Sequence, residues 1–275
     1  MFSIRTNVAS LIAQRNLANA EGMMSSSLAK LSSGYRITKA GDDAAGLGIS
    51  SNLNAQIKSY NQASRNASDA VSVIQTAEGS LNETTNILTR LRELAMQSAS
   101  GGVGNTERGY IQNEVAQLVS EVSRIAESTE YNGVKLMDGN ITTLTFQVGI
   151  RNVTTTSDRI SVETMDATAA TLGVDALELT SAASSQEALS TIDTAIERIS
   201  SARATLGAAG NRFNAVANTI RTAAENLSAA HSRIKDVDVA EETAAMSRAQ
   251  ILAQAGVSAL AQANQVPQMA MKLLG

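Results

Sequence analysis

The chain contains no cysteine, no tryptophan and a single proline, Pro267. Without cysteine, disulfides and thiolate chemistry are excluded. With almost no proline, long helices can run without interruption. Aromatic residues make up only 3% of the 275 residues, although 43% are apolar. The buried surfaces must therefore consist largely of small side chains, which favour closely packed helix seams over a thick globular core.

Long apolar runs and clusters of one charge are also scarce. The formal net charge is −4 and no run of basic residues occurs, so nucleic acid is not an expected partner. No stretch approaches the roughly 20 apolar residues that span a bilayer, which predicts no membrane insertion. The N-terminal segment lacks the apolar core of about 7–15 residues that marks a secretory signal. Export would need another route.

Side chains that carry catalysis or bind metals are too few or unsuitably spaced. His231 is the only histidine, and zinc sites need several nitrogen or sulfur ligands. The acidic residues at 42–43 and 236–238 lack the ligand spacing of a calcium loop, so helix capping is the favoured interpretation. The glycine-rich runs at 46–48 and 101–104 are not followed by Lys-Ser/Thr. The sequence therefore predicts no enzyme, no metal and no cofactor.

Apolar residues recur at alternating spacings of three and four, which is the period of coiled coils. The first such seam runs from Ile49 to Ala95, interrupted only by Gln56 and Thr84, and predicts a helix roughly 70 Å long. The same spacing returns at about 106–129 and from 189 to 234. The short glycine-rich connection between the first two seams predicts an antiparallel return. The predicted fold class is mainly α, a long antiparallel coiled-coil bundle.

The period changes to two between residues 130 and 165. Asn132-Gly133 and Asp138-Gly139 are turn dipeptides, and the apolar residues at 144, 146 and 148 alternate with polar ones. This pattern predicts a small β-hairpin region lying on the helices. Residues 166–183 are weakly patterned and are expected to form a loop with a short helical turn.

Two amphipathic arms, 1–33 and 240–273, are predicted to pair as helices. The apolar stripe of the first arm is predicted to continue through Leu17, Ala20, Met24, Leu28 and Leu31. The predicted assembly residues of the two arms are Ile4, Val8 and Leu11 on the first, and Leu252, Ala255, Ala259, Ala263 and Val266 on the second. Pro267 is expected to strain or end the second helix.

Several large apolar residues fall outside these stripes and should stay exposed on a two-helix arm: Phe2, Ile12, Met23, Ile251, Val257 and Leu260. Exposed apolar surface at both termini is a hazard for a monomer but suits a polymer. Head-to-tail contacts between unlike ends give rings if they close and open helical filaments if they do not.

A joint connects the first arm to the bundle. Gly34, Gly41 and Gly46 permit backbone conformations that are closed to other residues. Asp42 and Asp43 are suited to capping the next helix, whose N-terminal dipole favours negative charge.

The same boundaries suggest a division into two domains. A discontinuous terminal-arm domain comprises 1–43 and 236–275, and a helical rod domain comprises 44–235 with the hairpin region at about 130–165.

Several long motifs make the chain resemble bacterial flagellin. Residues 28–50 read LAKLSSGYRITKAGDDAAGLGIS, residues 72–100 read SVIQTAEGSLNETTNILTRLRELAMQSAS, and residues 232–268 read SRIKDVDVAEETAAMSRAQILAQAGVSALAQANQVPQ. Only residues 137–188 separate the EYNGVKL motif at 130–136 from the last rod helix. The chain is therefore similar to a short flagellin that lacks the variable outer domains.

The resemblance implies a structural subunit that self-assembles into the flagellar filament for swimming motility. It implies an extracellular homopolymer whose terminal arms form the inner tube. It also implies export by the flagellar type III apparatus and an export chaperone at the C-terminal arm. A filament cap and hook–filament junction proteins would be further partners.

The resemblance suggests one partner outside the bacterium. In many flagellins the LRELA segment and a nearby glutamate contact Toll-like receptor 5 of vertebrates. The matching positions are Arg90, Leu94 and Glu114. Packing between subunits is the alternative role for these three residues, and both roles are compatible.

Three other functions remain open at this point. A hook–filament junction protein shares its termini with flagellin, although the run AQANQVPQ at 261–268 favours flagellin. A secreted coiled-coil effector or translocator would bind membranes, but neither arm has the Lys/Arg-rich polar face expected of one. An enzyme is the least supported, since no catalytic constellation occurs.

Overall fold

A computed structural model describes residues 6–151 and 158–274, with the side chains of the last helix described up to residue 265. The elements in chain order are α1 (Val8–Ser33), α2 (Ala44–Ala99), α3 (Asn105–Ser128), β1 (Glu130–Tyr131), β2 (Val134–Lys135), β3 (Thr143–Gln147), β4 (Arg159–Glu163), α4 (Ala169–Leu172), α5 (Ala182–Lys235) and α6 (Val239–Leu274). The predicted mainly helical fold class is confirmed.

The chain divides into two compact units. One, the arm unit, comprises Met1–Ile57 and Glu225–Gly275, and the other, the rod unit, comprises Lys58–Ala224. The long helices α2 and α5 each contribute to both units. The domain boundaries predicted at 43/44 and 235/236 stay a prediction.

The rod unit has a continuous core formed by α2, α3, α5 and the hairpin region. Its largest fully buried side chains include Leu81, Leu88 and Leu91 on α2, with Ile192 and Ile199 on α5. These positions repeat at spacings of three or seven, so they face one side of each helix. Within the rod unit, the coiled-coil pattern therefore identified the core positions, whereas Ile49, predicted to begin the seam, is 53% exposed.

Thr84 shows how α2 tolerates a polar residue within its seam. The residue is buried, and its hydroxyl donates to the carbonyl oxygen of Ser80 at 3.0 Å. A buried hydroxyl without a partner would cost stability, whereas this one is satisfied within its own helix.

The predicted hairpin region consists of two separate antiparallel hairpins. In the first, Glu130 pairs with Lys135, and the turn places Asn132 at φ 50° and Gly133 at φ 78°. Two successive positive φ angles characterise the type I′ turn that Asn-Gly favours. In the second hairpin, β3 pairs with β4. Phe146 of β3 meets Phe213 of α5 edge to face, with ring centroids 5.6 Å apart.

Arg108 holds the turn between α2 and α3. The residue is only 8% exposed, and its guanidinium donates to the carbonyl oxygens of Ser98 at 2.9 Å and Ser100 at 3.1 Å, and to the Asn105 side chain at 3.1 Å. The last carbonyls of a helix lack intrahelical donors, so this arginine caps the C-terminus of α2.

Gln112 of α3 fixes the segment between α4 and α5. Its amide nitrogen donates to the carbonyl oxygen of Leu177 at 2.9 Å, and its oxygen accepts from the Leu179 N–H at 2.7 Å. The Ser98 hydroxyl also donates to the Leu179 carbonyl at 2.6 Å. The segment 173–181 therefore lies at the same end of the rod unit as the α2–α3 turn.

Candidate functional site

The terminal helices α1 and α6 pack antiparallel within the arm unit. The residues that are buried or half-buried along them include many small ones: Ser10, Ala13, Leu17, Ala20, Met24, Ser27, Lys30 and Leu31 on α1, and Glu242, Ala245, Met246, Ala249, Ala253, Gly256, Leu260 and Ala263 on α6. A Cβ atom built on Gly256 would lie 3.4 Å from Leu17 Cδ1 and 3.6 Å from Leu17 Cα. The two backbones approach closely because the seam is built from small residues.

The predicted pairing of the arms is confirmed, but several predicted stripe residues face away from the seam. Val8 is 58% exposed, Leu11 56% and Leu252 48%, and Ala255 and Ala259 are also exposed. The physical reason is that close helix approach selects small residues, which turns the larger ones outward. Their role in assembly stays a prediction.

The other arm residues agree only in part with their predicted positions. Leu28, predicted on the stripe, is exposed, and Leu260, predicted to be exposed, is half-buried in the seam. Ala263 lies in the seam as predicted. Ile4 and Phe2 lie outside the described residues, as does the side chain of Val266. The predicted exposure of four large residues is confirmed: Ile12, Met23, Ile251 and Val257.

Asn7 connects the two arms near the chain termini. Its side-chain oxygen accepts from the Ser10 N–H at 3.1 Å and caps α1, while its amide nitrogen donates to the Ala263 carbonyl at 2.8 Å. That carbonyl has no helical partner four residues on, because Pro267 lacks an N–H. Asn7 supplies the missing donor, and α6 continues to Leu274. The helix therefore does not end at Pro267, and strain at this position stays a prediction.

In the joint, the segment that follows α1 lies against the segment that connects α5 to α6. Gly34 ends α1 with φ 74°, and its N–H donates to the Lys30 carbonyl at 2.9 Å. The Val237 N–H donates to the Gly34 carbonyl at 3.0 Å, and the Arg36 N–H donates to the Lys235 carbonyl at 2.7 Å. These two hydrogen bonds fix where the arm helices leave the long helices.

The two aspartates of the joint have different roles. Asp43 accepts from the Gly46 N–H at 2.8 Å and caps α2, as predicted. Asp42 instead closes the preceding turn, where its Oδ2 accepts from the Lys39 N–H, the Thr38 N–H and the Thr38 hydroxyl at 2.9 Å. These hydrogen bonds, led by that of Lys39, lower the pKa of Asp42 below its usual value.

The glycines of the joint also differ. Gly34 alone among Gly34, Gly41 and Gly46 has a positive φ. Gly46 is needed for space, because a Cβ atom there would overlap the Asp43 carboxylate and lie 2.8 Å from Ile37 Cδ1. Gly41 has neither a positive φ nor a close neighbour, so the special backbone conformation predicted for Gly41 and Gly46 is wrong.

Two of the three predicted receptor residues lie together on the surface. Arg90 donates to Glu114 at 2.8 Å and to Glu93 at 3.0 Å, and all three side chains are about half exposed. The hydrogen bond with Glu114 raises the pKa of Arg90 above its usual value. Leu94 is only 2% exposed and belongs to the rod core. The structure therefore offers Arg90 and Glu114, but not Leu94, for a direct surface contact.

The described part of the chain, 6–151 and 158–274, contains no cluster of acidic or histidine side chains that could hold a metal ion. No helix in these ranges is both long and apolar enough to cross a bilayer.

Two family models cover most of this architecture. Residues 4–142 match the bacterial flagellin N-terminal helical region, and residues 189–274 match the bacterial flagellin C-terminal helical region. The chain belongs to the bacterial flagellin family. It is 42% identical to the flagellar filament 33 kDa core protein of Treponema phagedenis, over 98% of this chain and 99% of that protein. It is 40% identical to flagellin of Halalkalibacterium halodurans, with the same coverage.

The solved structures agree with this assignment. The crystal structure of Bacillus cereus flagellin aligns with a TM-score of 0.50 and 29% identity, over 61% of this chain and 94% of that one. A hook-associated protein from Vibrio parahaemolyticus aligns with a TM-score of 0.61, over 71% of this chain and 100% of that one, but at 15% identity it shows a shared fold alone. This flagellin is a structural subunit of the flagellar filament and not an enzyme, and the junction-protein alternative is not favoured.

Proposed function

We propose that the terminal arms of this flagellin drive its polymerisation into an extracellular filament. The observation that carries the proposal is the apolar surface left over after α1 and α6 have paired: Val8, Leu11, Ile12, Met23, Leu28, Val239, Ile251, Leu252 and Val257. A two-helix arm cannot bury both sides of its helices. The arms of neighbouring copies can cover the exposed sides. Each large side chain that is fully buried in this way contributes about 1.5–3 kcal/mol to the stability of the filament.

Folding of the arms is coupled to this assembly. Fixing one residue's backbone costs about 1–2 kcal/mol, and the thin seam between α1 and α6 buries little apolar surface to offset that cost. The arms are therefore disordered in the free subunit and become helical when neighbours cover their exposed faces. The predicted assembly residues serve at these contacts: Ile4, Val8, Leu11, Leu252, Ala255, Ala259, Ala263 and Val266.

Membership of the flagellin family supports proposing export by the flagellar apparatus and the partners that go with it. An unfolded chain without disulfides suits passage through the flagellar type III apparatus. A chaperone covering the C-terminal arm would keep α6 from aggregating before export. At the distal tip of the filament, a cap would hold subunits while the arms fold. Junction proteins would connect the filament to the hook.

A seeded elongation assay tests the filament function. Purified intact monomer is added to short filament fragments and followed by sedimentation and electron microscopy. We expect the seeds to grow into long tubular filaments. Soluble monomer that persists beside the seeds would overturn the function in favour of a junction protein or an effector, and liposome binding by that monomer would identify a membrane effector.

Recognition by Toll-like receptor 5 is a second proposed function, supported by the exposed Arg90–Glu114 pair. Arg90→Ala and Glu114→Ala are expected to reduce activation of receptor-bearing cells by soluble monomer at least about tenfold, since buried charge-assisted contacts are worth about 2–5 kcal/mol. Arg124→Ala is the matched control, because Arg124 is exposed and pairs with Glu121 on α3. Unchanged activation with both variants would leave these residues only a role in subunit packing.

A further inference from the structure

We propose that rod units of neighbouring copies join head to tail by charge, with the acidic tip of one docking on the basic groove of the next. The acidic tip consists of Glu107, Asp175, Glu178 and Glu187, and the basic groove is bordered by Arg65, Arg151 and Arg159. This inference rests on the filament function proposed above and names a specific contact between subunits within it.

The acidic tip gathers carboxylates from three elements at one end of the rod unit. Glu107 lies in the first turn of α3, Asp175 and Glu178 lie in the segment that Gln112 fixes, and Glu187 lies near the start of α5. All four carboxylates are exposed, and none takes part in an ion pair among the described residues. Glu178 and Glu187 line one shallow groove.

No exposed cation balances these charges at the tip. Across 95–110 and 173–190, all of which the structure describes, the one cation is Arg108. Its guanidinium is buried and committed to the carbonyl oxygens of the α2–α3 turn. The next arginines along α2, Arg90 and Arg92, already have carboxylate partners. Within these ranges the tip therefore presents negative charge alone to a partner; the neighbouring Arg198 donates to the Thr171 carbonyl oxygen at 2.9 Å.

The basic groove lies beside the second hairpin. Arg151 and Arg159 line it together with Gln62 and Asn66. Arg65 borders it, since its guanidinium donates to the Gln62 side chain at 2.5 Å. None of the three arginines has a carboxylate partner within the described ranges. They remain available for carboxylates from another molecule.

The surroundings of the groove add to its positive charge. The other charged residues of this end of the rod unit, 58–69, 147–151, 158–159 and 212–221, are three cations and two carboxylates: Lys58, Arg212 and Arg221, with Asp69 and Asp158. These ranges therefore carry six cations against two carboxylates, and Glu163 adds a third carboxylate in a groove that it lines with Arg212.

The tip and the groove lie too far apart to meet within one molecule. The Asn66 side chain donates to the Gln147 carbonyl at 2.9 Å and fixes the groove near residue 66 of α2, whereas the tip adjoins Ser98 at the end of that helix. The intervening part of α2 spans roughly 50 Å at ~1.5 Å per residue. A second copy in the same orientation can instead bring its basic groove to the acidic tip of the first copy.

This arrangement is heterologous, because the two surfaces that meet are different, and it propagates along an open filament. Complementary charge across an interface mainly sets register and association rate. A charge-paired rod contact would therefore select the correct axial placement of an incoming subunit while the arms supply most of the affinity.

Charge-reversal variants test the contact in the seeded elongation assay. One variant carries Glu107→Lys, Glu178→Lys and Glu187→Lys, and the other carries Arg65→Glu, Arg151→Glu and Arg159→Glu. Each alone is expected to elongate intact-chain seeds at least about tenfold more slowly, because each then has two ends of like charge. An equal mixture should recover elongation, since the tip of each variant complements the groove of the other.

A matched control separates end pairing from net charge. Glu83→Lys, Glu127→Lys and Glu197→Lys reverse three exposed carboxylates outside the tip and should elongate at nearly the rate of the intact chain. Glu→Gln changes at the three tip positions should slow growth less than reversal does. Far-UV circular dichroism checks that every variant retains its helices.

The outcomes distinguish this contact from the filament function itself. Normal growth of either reversed variant, a mixture as slow as its components, or an equally slow control would overturn the charge-paired contact alone. Failure of the intact chain to elongate seeds would overturn the filament function and this contact together.

Discussion

A chain lacking residues 1–33 and 240–275 is expected to form no filaments under conditions in which the intact chain elongates seeds. The truncation removes α1 and nearly all of α6, and with them most of the exposed large apolar side chains of the arm unit. Without them, copies of the rod unit are left with exposed ion pairs, which contribute only about 0.2–1 kcal/mol each. Sedimentation and electron microscopy measure the loss directly.

The truncated chain should remain folded, because the rod unit has a core of its own. The continuous cluster of buried residues from Ala63 to Ile220 lies entirely between the removed segments. Far-UV circular dichroism and a cooperative urea transition would verify this. Filaments formed by a folded, truncated chain would contradict the role of the arms.

Outward-facing substitutions give a finer version of the same test. Leu11→Ser and Leu252→Ser leave the α1–α6 seam intact but remove two large exposed side chains. If neighbouring arms bury them, the critical concentration for growth should rise at least about tenfold, since ~1.4 kcal/mol corresponds to one factor of ten. Ser258→Ala changes another exposed position of α6 and serves as the control.

Replacing Phe213 by alanine is expected to lower the free energy of unfolding by about 3–5 kcal/mol, the usual cost of removing a buried phenylalanine. Phe213 is fully buried and packs edge to face with Phe146. Its loss leaves a cavity between α5 and the second hairpin in a chain with few other aromatic rings. Urea denaturation of the monomer, followed by circular dichroism, measures the change.

Tyr110→Ala is the matched control for this prediction, because Tyr110 is an exposed aromatic residue of the rod unit. It should change the free energy of unfolding by no more than about 0.5 kcal/mol. Equal effects from the two substitutions would show that the Phe146–Phe213 contact does not organise the core.

The sequence predicted the rod unit well because one physical signal dominates there. Buried positions on α2, α3 and α5 repeat with the coiled-coil period, and the Asn132-Gly133 turn has the backbone angles that its residues favour. Leu94 was assigned to a surface contact by resemblance, although it lies next to the seam residues Leu91 and Ala95. Its burial shows that the helical pattern was the better guide at this position.

The faces of the arms could not be predicted in the same way. Small and large apolar residues both recur at helical spacing on α1 and α6, so periodicity alone allows two pairing faces. Close backbone approach at Gly256 and Leu17 selects the small-residue face. Where α6 continues through Pro267, the carbonyl of Ala263 accepts a hydrogen bond from Asn7, 256 positions away. No local sequence signal reports such a contact.

The charged ends of the rod unit were also hidden in the sequence. Overall composition is nearly balanced, at 22 basic and 26 acidic residues. Only the folded chain brings Glu107 together with the 173–181 segment and places Arg65 beside the second hairpin. One residue at the acidic tip could have been recognised from the sequence. Arg108 lies in the first turn of α3, where a cation is unfavourable unless it has another role, here the capping of α2.

Amide hydrogen exchange, compared between monomer and filament of the same intact chain, tests most directly the claim that the arms fold as they assemble. Arms that fold on assembly exchange rapidly at 8–33 and 239–274 in the monomer, and both segments become strongly protected in the filament. The core helices of the rod unit should be protected in both states. Arms that are already protected in the monomer would contradict the account.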